Sequence, residues 1–188
     1  ARHCAAVAAL TGGRYAEAGR QFEALARESN SGKQGLKAEL DAQASQAWLI
    51  AGETEKALAS INRAIERGGD DSERLIDRAI IYGSREKFWE ALDDLSAVLD
   101  RQPRRADVLV LRATAWRRLG NLDLADDDID RAVAIAPANV EALLEQGVIR
   151  QRRGAFDAAQ ASWRKVIEIA PESPYADSAR RRIKRLGN

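Results

Sequence analysis

Methionine is missing from all 188 residues, and histidine and cysteine occur once each, as His3 and Cys4. A single cysteine excludes an internal disulfide. One histidine beside one cysteine offers little for nucleophilic or metal chemistry, because neighbours on a helix point about 100° apart and no third ligand or orienting group accompanies them. No phosphate-binding loop, no His-Glu-x-x-His and no Gly-x-Ser-x-Gly is present. The chain is therefore expected to be no enzyme, with no catalytic residue, no metal site and no cofactor. Aromatics make up 5% and prolines number four. No stretch alternates β-branched with polar residues, which predicts an all-α chain. No apolar run approaches the ~18–20 residues that span a bilayer, so no membrane insertion is expected. A net charge of +1 supplies no global field for nucleic acid, which is not an expected partner. The missing methionine predicts that something was removed from the front, by signal-peptide cleavage or by trimming. Arginine outnumbers lysine by 24 to 6. That bias suggests a GC-rich bacterial genome, and a periplasmic address is favoured over a cytoplasmic one.

What is present is a balanced globular composition, 31% charged and 45% hydrophobic, in the range of ordered domains. Charge is unevenly placed. Residues 37–149 hold 15 basic against 22 acidic groups, and residues 150–188 hold 10 against 4. A period of 34 residues runs beneath this. Pro103, Pro137 and Pro171 lie on one grid, and one step back is Gly69. Ala57, Ala91, Ala125 and Ala159 lie on a second grid, with Ala18 preceding them by 39. The polar stretch 28–35 absorbs the extra residues. In the same phase are a large column (Phe22, Ile61, Leu95, Ile129, Trp163) and a small column (Ala6, Ser45, Ala79, Ala113, Gly147). A turn column (Gly13, Gly52, Glu86, Gly120, Gly154) and an aromatic column (Trp48, Tyr82, Trp116) complete the pattern. Small residues fit where helices cross, glycine ends a first helix and proline stops a second.

These columns resemble the tetratricopeptide repeat, with its W-x2-L-G-x2-Y, A-x3-F and P pattern. Ala18 and Phe22 match outright, and Ala159 with Trp163 is a close variant. The leading tryptophan is replaced throughout, by Asp41, Leu75, Leu109 and Leu143. The resemblance implies an all-α, right-handed α-solenoid of about five helix-turn-helix repeats in a single domain over 1–188. The repeats fall at about 1–30, 38–69, 72–103, 106–137 and 140–171, with an insertion loop at 30–37. A capping helix is expected at 174–186, with Ser173 as N-cap and a stripe of Tyr175, Ala179, Ile183 and Leu186. Its arginines are read as a solvated face.

The resemblance also implies a peptide-binding groove on the first helices. On the family's geometry the inward residues are Ala42, Gln46 and Leu49; Ile76, Ile80 and Gly83; Val110, Thr114 and Arg117; Leu144, Val148 and Gln151. One rim is acidic (Glu39, Glu73, Asp107, Glu141), and these carboxylates also suit helix N-termini. The other is basic (Arg117, Arg118, Arg152). The family's carboxylate clamp finds no cationic set here: His3, Val7, Gln43, Glu73 and Asp77, or Ala42, Gln46, Asp77, Asp107 and Leu111, stand at its positions. The acidic run 123–130 lacks the glycine and loop of a Ca²⁺ site and is expected to be a solvated helix face. The expected function is a non-catalytic scaffold that binds a partner helix or extended peptide. The alternative is a self-assembling or spacer segment of a larger bacterial envelope or secretion system, with a second copy of the chain as partner.

Overall fold

The computed structural model describes residues 2–30 and 32–187. Among them are eleven α-helices and no strand: α1 (Arg2–Thr11), α2 (Tyr15–Glu28), α3 (Gln34–Ile50), α4 (Thr54–Gly68), α5 (Ser72–Ser84), α6 (Phe88–Arg101), α7 (Ala106–Arg118), α8 (Leu122–Ile135), α9 (Val140–Arg152), α10 (Phe156–Ile169) and α11 (Pro174–Leu186). None of these helices is long and apolar enough to cross a membrane. Two compact units form, Ala1–Asp94 and Leu95–Asn188.

The turn column explains the pairing of helices. α1–α2, α3–α4, α5–α6, α7–α8 and α9–α10 are each joined by three residues. The middle one always has positive φ: Gly13 at 76°, Gly52 at 79°, Glu86 at 58°, Gly120 at 85° and Gly154 at 79°. The residue after it donates its N–H back across the turn, as in Glu53 to the Trp48 carbonyl, Lys87 to Tyr82 and Asn121 to Trp116, each at 2.9 Å. A left-handed residue followed by this bond is the Schellman closure, which satisfies the last carbonyls of the first helix. The second helices then end two residues before Pro103, Pro137 and Pro171.

The packing columns are buried as their sizes require. Ala18, Ala57, Ala125 and Ala159 are wholly inaccessible, as are Ile61, Ile129 and Trp163. In the first unit α2, α3 and α4 gather Ala18, Phe22, Trp48 and Ile61 into one core. In the second, Leu143, Trp163, Val166 and Ala179 form another. Gly147 is held to glycine by close approach, since a Cβ there would sit 2.2 Å from Trp163 Nε1.

Two expectations are corrected. α3 begins at Gln34, so residues 34–37 of the expected loop are helical, in keeping with the helix-forming Gln34, Leu36 and Lys37. On α11, Ser173 caps by accepting from the Ala176 N–H, but Tyr175 is 38% exposed and Ala176 is buried in its place. Positions 175 and 176 both fit the helical 3–4 spacing with 179, 183 and 186, so periodicity alone does not choose between them. Asp41, which stands where the family has its leading tryptophan, is 1% exposed and is gripped by Arg63 and Arg67.

Candidate functional site

The residues expected to line the strip lie on the first helices and differ in exposure. In the first unit Ala42 and Leu49 pack partly against the core. Gln46 is exposed and donates from Nε2 to Asp77 Oδ2 at 3.1 Å. Ile80 is 38% exposed, whereas Ile76 is buried at 7%. In the second unit Thr114, Arg117, Leu144 and Gln151 are half-buried. Val110 and Val148 are only 4% and 8% exposed, so they serve the packing of the unit more than its surface. The accessible strip is thus more polar than the sequence suggests.

Its electrostatics differ between the units. Burial holds the Asp77 carboxyl above its ordinary value against the Gln46 hydrogen bond, and Glu73, Asp71 and Glu39 add to the rise. In the second unit Arg117 leaves the basic rim: its Nε donates to Glu145 Oε1 at 2.5 Å, and Thr114 Oγ1 lies 3.1 Å from the same oxygen. Arg118 and Arg152 remain on the exposed surface. Among the acidic-rim residues, Glu39 accepts from Gln43 at 3.1 Å. Asp107 is held below its ordinary value chiefly by the Arg105 hydrogen bond. Glu73 and Glu141 stand exposed in the first turns of α5 and α9.

A second polar system is not evident from the sequence columns. Arg78 grips Asp94 through two bonds of 2.8 and 2.6 Å. Arg112 grips Asp128 through 2.7 and 2.8 Å. These pairs are 34 residues apart, and the next copy is the buried Gln146, which accepts from Ser162 Oγ at 2.8 Å. Asn62, Ser96 and Asp130 meet the same column at the same period, bonding Arg78, Arg112 and Gln146. An arginine followed 16 residues later by an aspartate, recurring at the repeat, was the available signal. The acidic run 123–130 is a solvated face at Asp123, Asp127 and Asp130, which are exposed, but not at Asp128. Asp128 is 3% exposed, Asp130 holds Arg150, and Asp126 and Asp123 hold Arg153.

At the amino end His3 lies edge-on to Phe22 at 5.8 Å and Cys4 is exposed. Among the described residues no group of three or more His, Cys, Asp or Glu side chains could hold a metal.

A family model described as tetratricopeptide repeat matches residues 76–140. That span holds two successive copies of the packing and turn columns, Ala79, Tyr82, Glu86 and Ala91, then Ala113, Trp116, Gly120 and Ala125. Residues 76–140 thus carry tetratricopeptide repeats. Repeats of this family generally mediate protein–protein interaction. The chain is 25% identical over 191 residues to the human protein O-mannosyl-transferase TMTC1, covering 98% of this chain but 21% of that protein. The chain therefore spans about a fifth of this relative. Two solved tetratricopeptide-like folds superpose well. MamA (41-end) from Desulfovibrio magneticus RS-1 gives a TM-score of 0.79 at 18% identity, over 92% of this chain and 95% of that one. YrrB, described as a TPR protein with an unusual peptide-binding site, gives 0.69 at 16% identity over 94% and 88%. At these identities the likeness concerns the fold.

Proposed function

We propose that this chain is a non-catalytic interaction scaffold, taking a partner helix or extended segment on the first-helix strips of its units. The observation that carries this reading is the contrast between columns within the one chain. The packing columns repeat in size from copy to copy. The strip column Gln46, Ile80, Thr114, Val148 changes character at every step, and it leaves Ile80 38% exposed beside the half-buried Asp77. Packing alone does not require an exposed isoleucine there, whereas an apolar anchor flanked by polar groups suits a protein ligand. The peptide-binding site named for the similar YrrB is consistent with it.

Peptides selected from a random display library, mapped by hydrogen exchange, test the proposal. Protection should concentrate on α3, α5, α7 and α9, and Ile80→Asp with Gln151→Asp should abolish it while the circular dichroism stays helical. Protection confined to α4, α6, α8 and α10 would sink it. A second reading, a self-associating or spacer segment of a larger protein, draws on the 21% coverage of TMTC1. Light scattering that reports a monomer at both low and high salt removes its self-associating form.

A further inference from the structure

The first copy of the repeat differs from the later ones on one face. Ala5 and Ala8 of α1 are exposed, and Leu25 of α2 is only half-buried. Their counterparts in the second copy, Ala44, Ala47 and Ala64, are wholly inaccessible. In the fifth copy Ile149 and Val166 are too, and Gln146 is 5% exposed. In the later copies a preceding second helix lies there: α3 packs on α2, α5 on α4 and α9 on α8. Each of these preceding helices also meets the face with a polar group. Glu23 accepts from Ser60 Oγ at 3.0 Å, Asn62 from Arg78 at 3.3 Å and Asp130 from Gln146 at 2.7 Å. Gln21 stands at the Ser60 position of the first copy. Its Nε2 is bound to Glu17 at 2.9 Å, while its Oε1 is shut off from water and accepts no hydrogen bond among the described residues. Ala5, Gln21, Ala24 and Leu25 line a hollow of about 300 Å³, with Arg2 and Glu28 paired at its rim.

We propose that this α1–α2 face docks the second helix of a further tetratricopeptide hairpin, one that carries an uncharged hydrogen-bond donor where α2 carries Glu23. The exposed alanines let a helix backbone approach closely, and covering Leu25 and the hollow removes apolar surface from water. The donor follows from what meets that position. In the second copy Glu23 is held by Ser60 and by Arg63 Nη2 at 2.6 Å. In the first copy Gln21 and Ala24 stand in their places. A carboxylate there would be buried without a cation, whereas an amide can donate to Gln21 Oε1. A second copy of the chain is the poorer occupant. Its second helices α2, α4, α8 and α10 are packed against their own first helices. Its terminal α11 turns Arg180, Arg181, Lys184 and Arg185 outward, and the exposed Arg2 opposes them with a like charge. The face is separate from the first-helix strip, whose position on α1 is Val7, so it goes beyond the scaffold reading and does not depend on it.

Fluorescence anisotropy on the full chain tests the face. The probe is a labelled, stapled helical peptide with the α2 sequence, Tyr15–Glu28, carrying Glu23→Gln. It should bind, and a scrambled peptide of the same composition should not. Ala8→Glu in the chain lies at an exposed position and should leave the circular dichroism unchanged. It should weaken binding about ten-fold or more, because docking buries its carboxylate unpaired. The peptide that keeps Glu23 should bind several-fold more weakly than the Gln form. Ile80→Asp, on the strip, should change the affinity less than about two-fold. Absent binding, indifference to Ala8→Glu, or equal affinity of the two peptides overturns the proposal. Loss of binding on Ile80→Asp also overturns it, and places the peptide on the strip in support of the scaffold reading. Light scattering supplies the last arm: a dimer of the free chain that Ala8→Glu dissolves makes a second copy the occupant, and the proposal falls. If library peptides protect the first helices while the stapled helix fails to bind, the docking face falls and the scaffold reading stands.

Discussion

Single residues decide where the repeat tolerates variation. Glu86 occupies the turn position at φ 58° that glycine fills in the other four turns. An L side chain there costs roughly 1–2 kcal/mol, so Glu86→Gly should raise stability by about 1 kcal/mol in urea unfolding. Gly147 is the opposite case. Its missing Cβ makes room for Trp163, and Gly147→Ala places a carbon 2.2 Å from Nε1. A loss of about 1–3 kcal/mol and a lower melting temperature are expected. Asp77 predicts a pH effect. Burial raises its native pKa above the ordinary 3.8, so the native state binds this proton more readily than the unfolded chain. Its ionisation therefore weakens the fold as pH rises through the native value, and the penalty vanishes below the unfolded value. Asp77→Asn should raise the urea midpoint at pH 7 and leave it unchanged at about pH 3.

At the scale of elements, the hairpins join two different kinds of contact. Alanine and large apolar columns let the helices approach, and a buried polar pair fixes their register. Arg78 and Asp94 illustrate the second, with Asp94 only 6% exposed and its carboxylate bound through both oxygens. Arg78→Met leaves that carboxylate buried without its partner and should cost about 3–5 kcal/mol. Adding Asp94→Leu should restore most of the loss, because a well-packed apolar pair is close to equivalent to a buried ion pair. Chemical denaturation of the two singles and the double completes the cycle. Equal stability of the single and the double variant would show that the register rests on the apolar columns alone.

For the molecule as a whole, the ends matter because each hairpin leaves an apolar face for its neighbour. In the second unit α11 covers that face: Ala179, Ile183 and Leu186 lie against Leu143, Trp163 and Val166. Removing residues 174–188 should uncover Trp163 and give a chain that melts lower and self-associates by light scattering. A truncated chain that stays monomeric and equally stable would show that α11 is no cap. The overall charge of +1 conceals local imbalance, since Asp77 and its neighbours stand in one unit and the arginines of α11 in the other.

The helical class, the positions of the turns and the stops at Pro103, Pro137 and Pro171 were legible in the sequence. Each follows from a local rule of size, φ or missing donor that acts within a few residues. Ser173 and the extent of α11 were legible for the same reason. The burial of Asp41, Asp94 and Asp128, the loss of Val110 and Val148 from the accessible strip, and the escape of Tyr175 from the core were not. Nor was the placing of Arg182 over the Trp163 ring. Whether a charged side chain is solvated, paired or stacked depends on groups that folding brings from other helices. Periodicity names the face a residue occupies, and only the packed structure decides what meets it there.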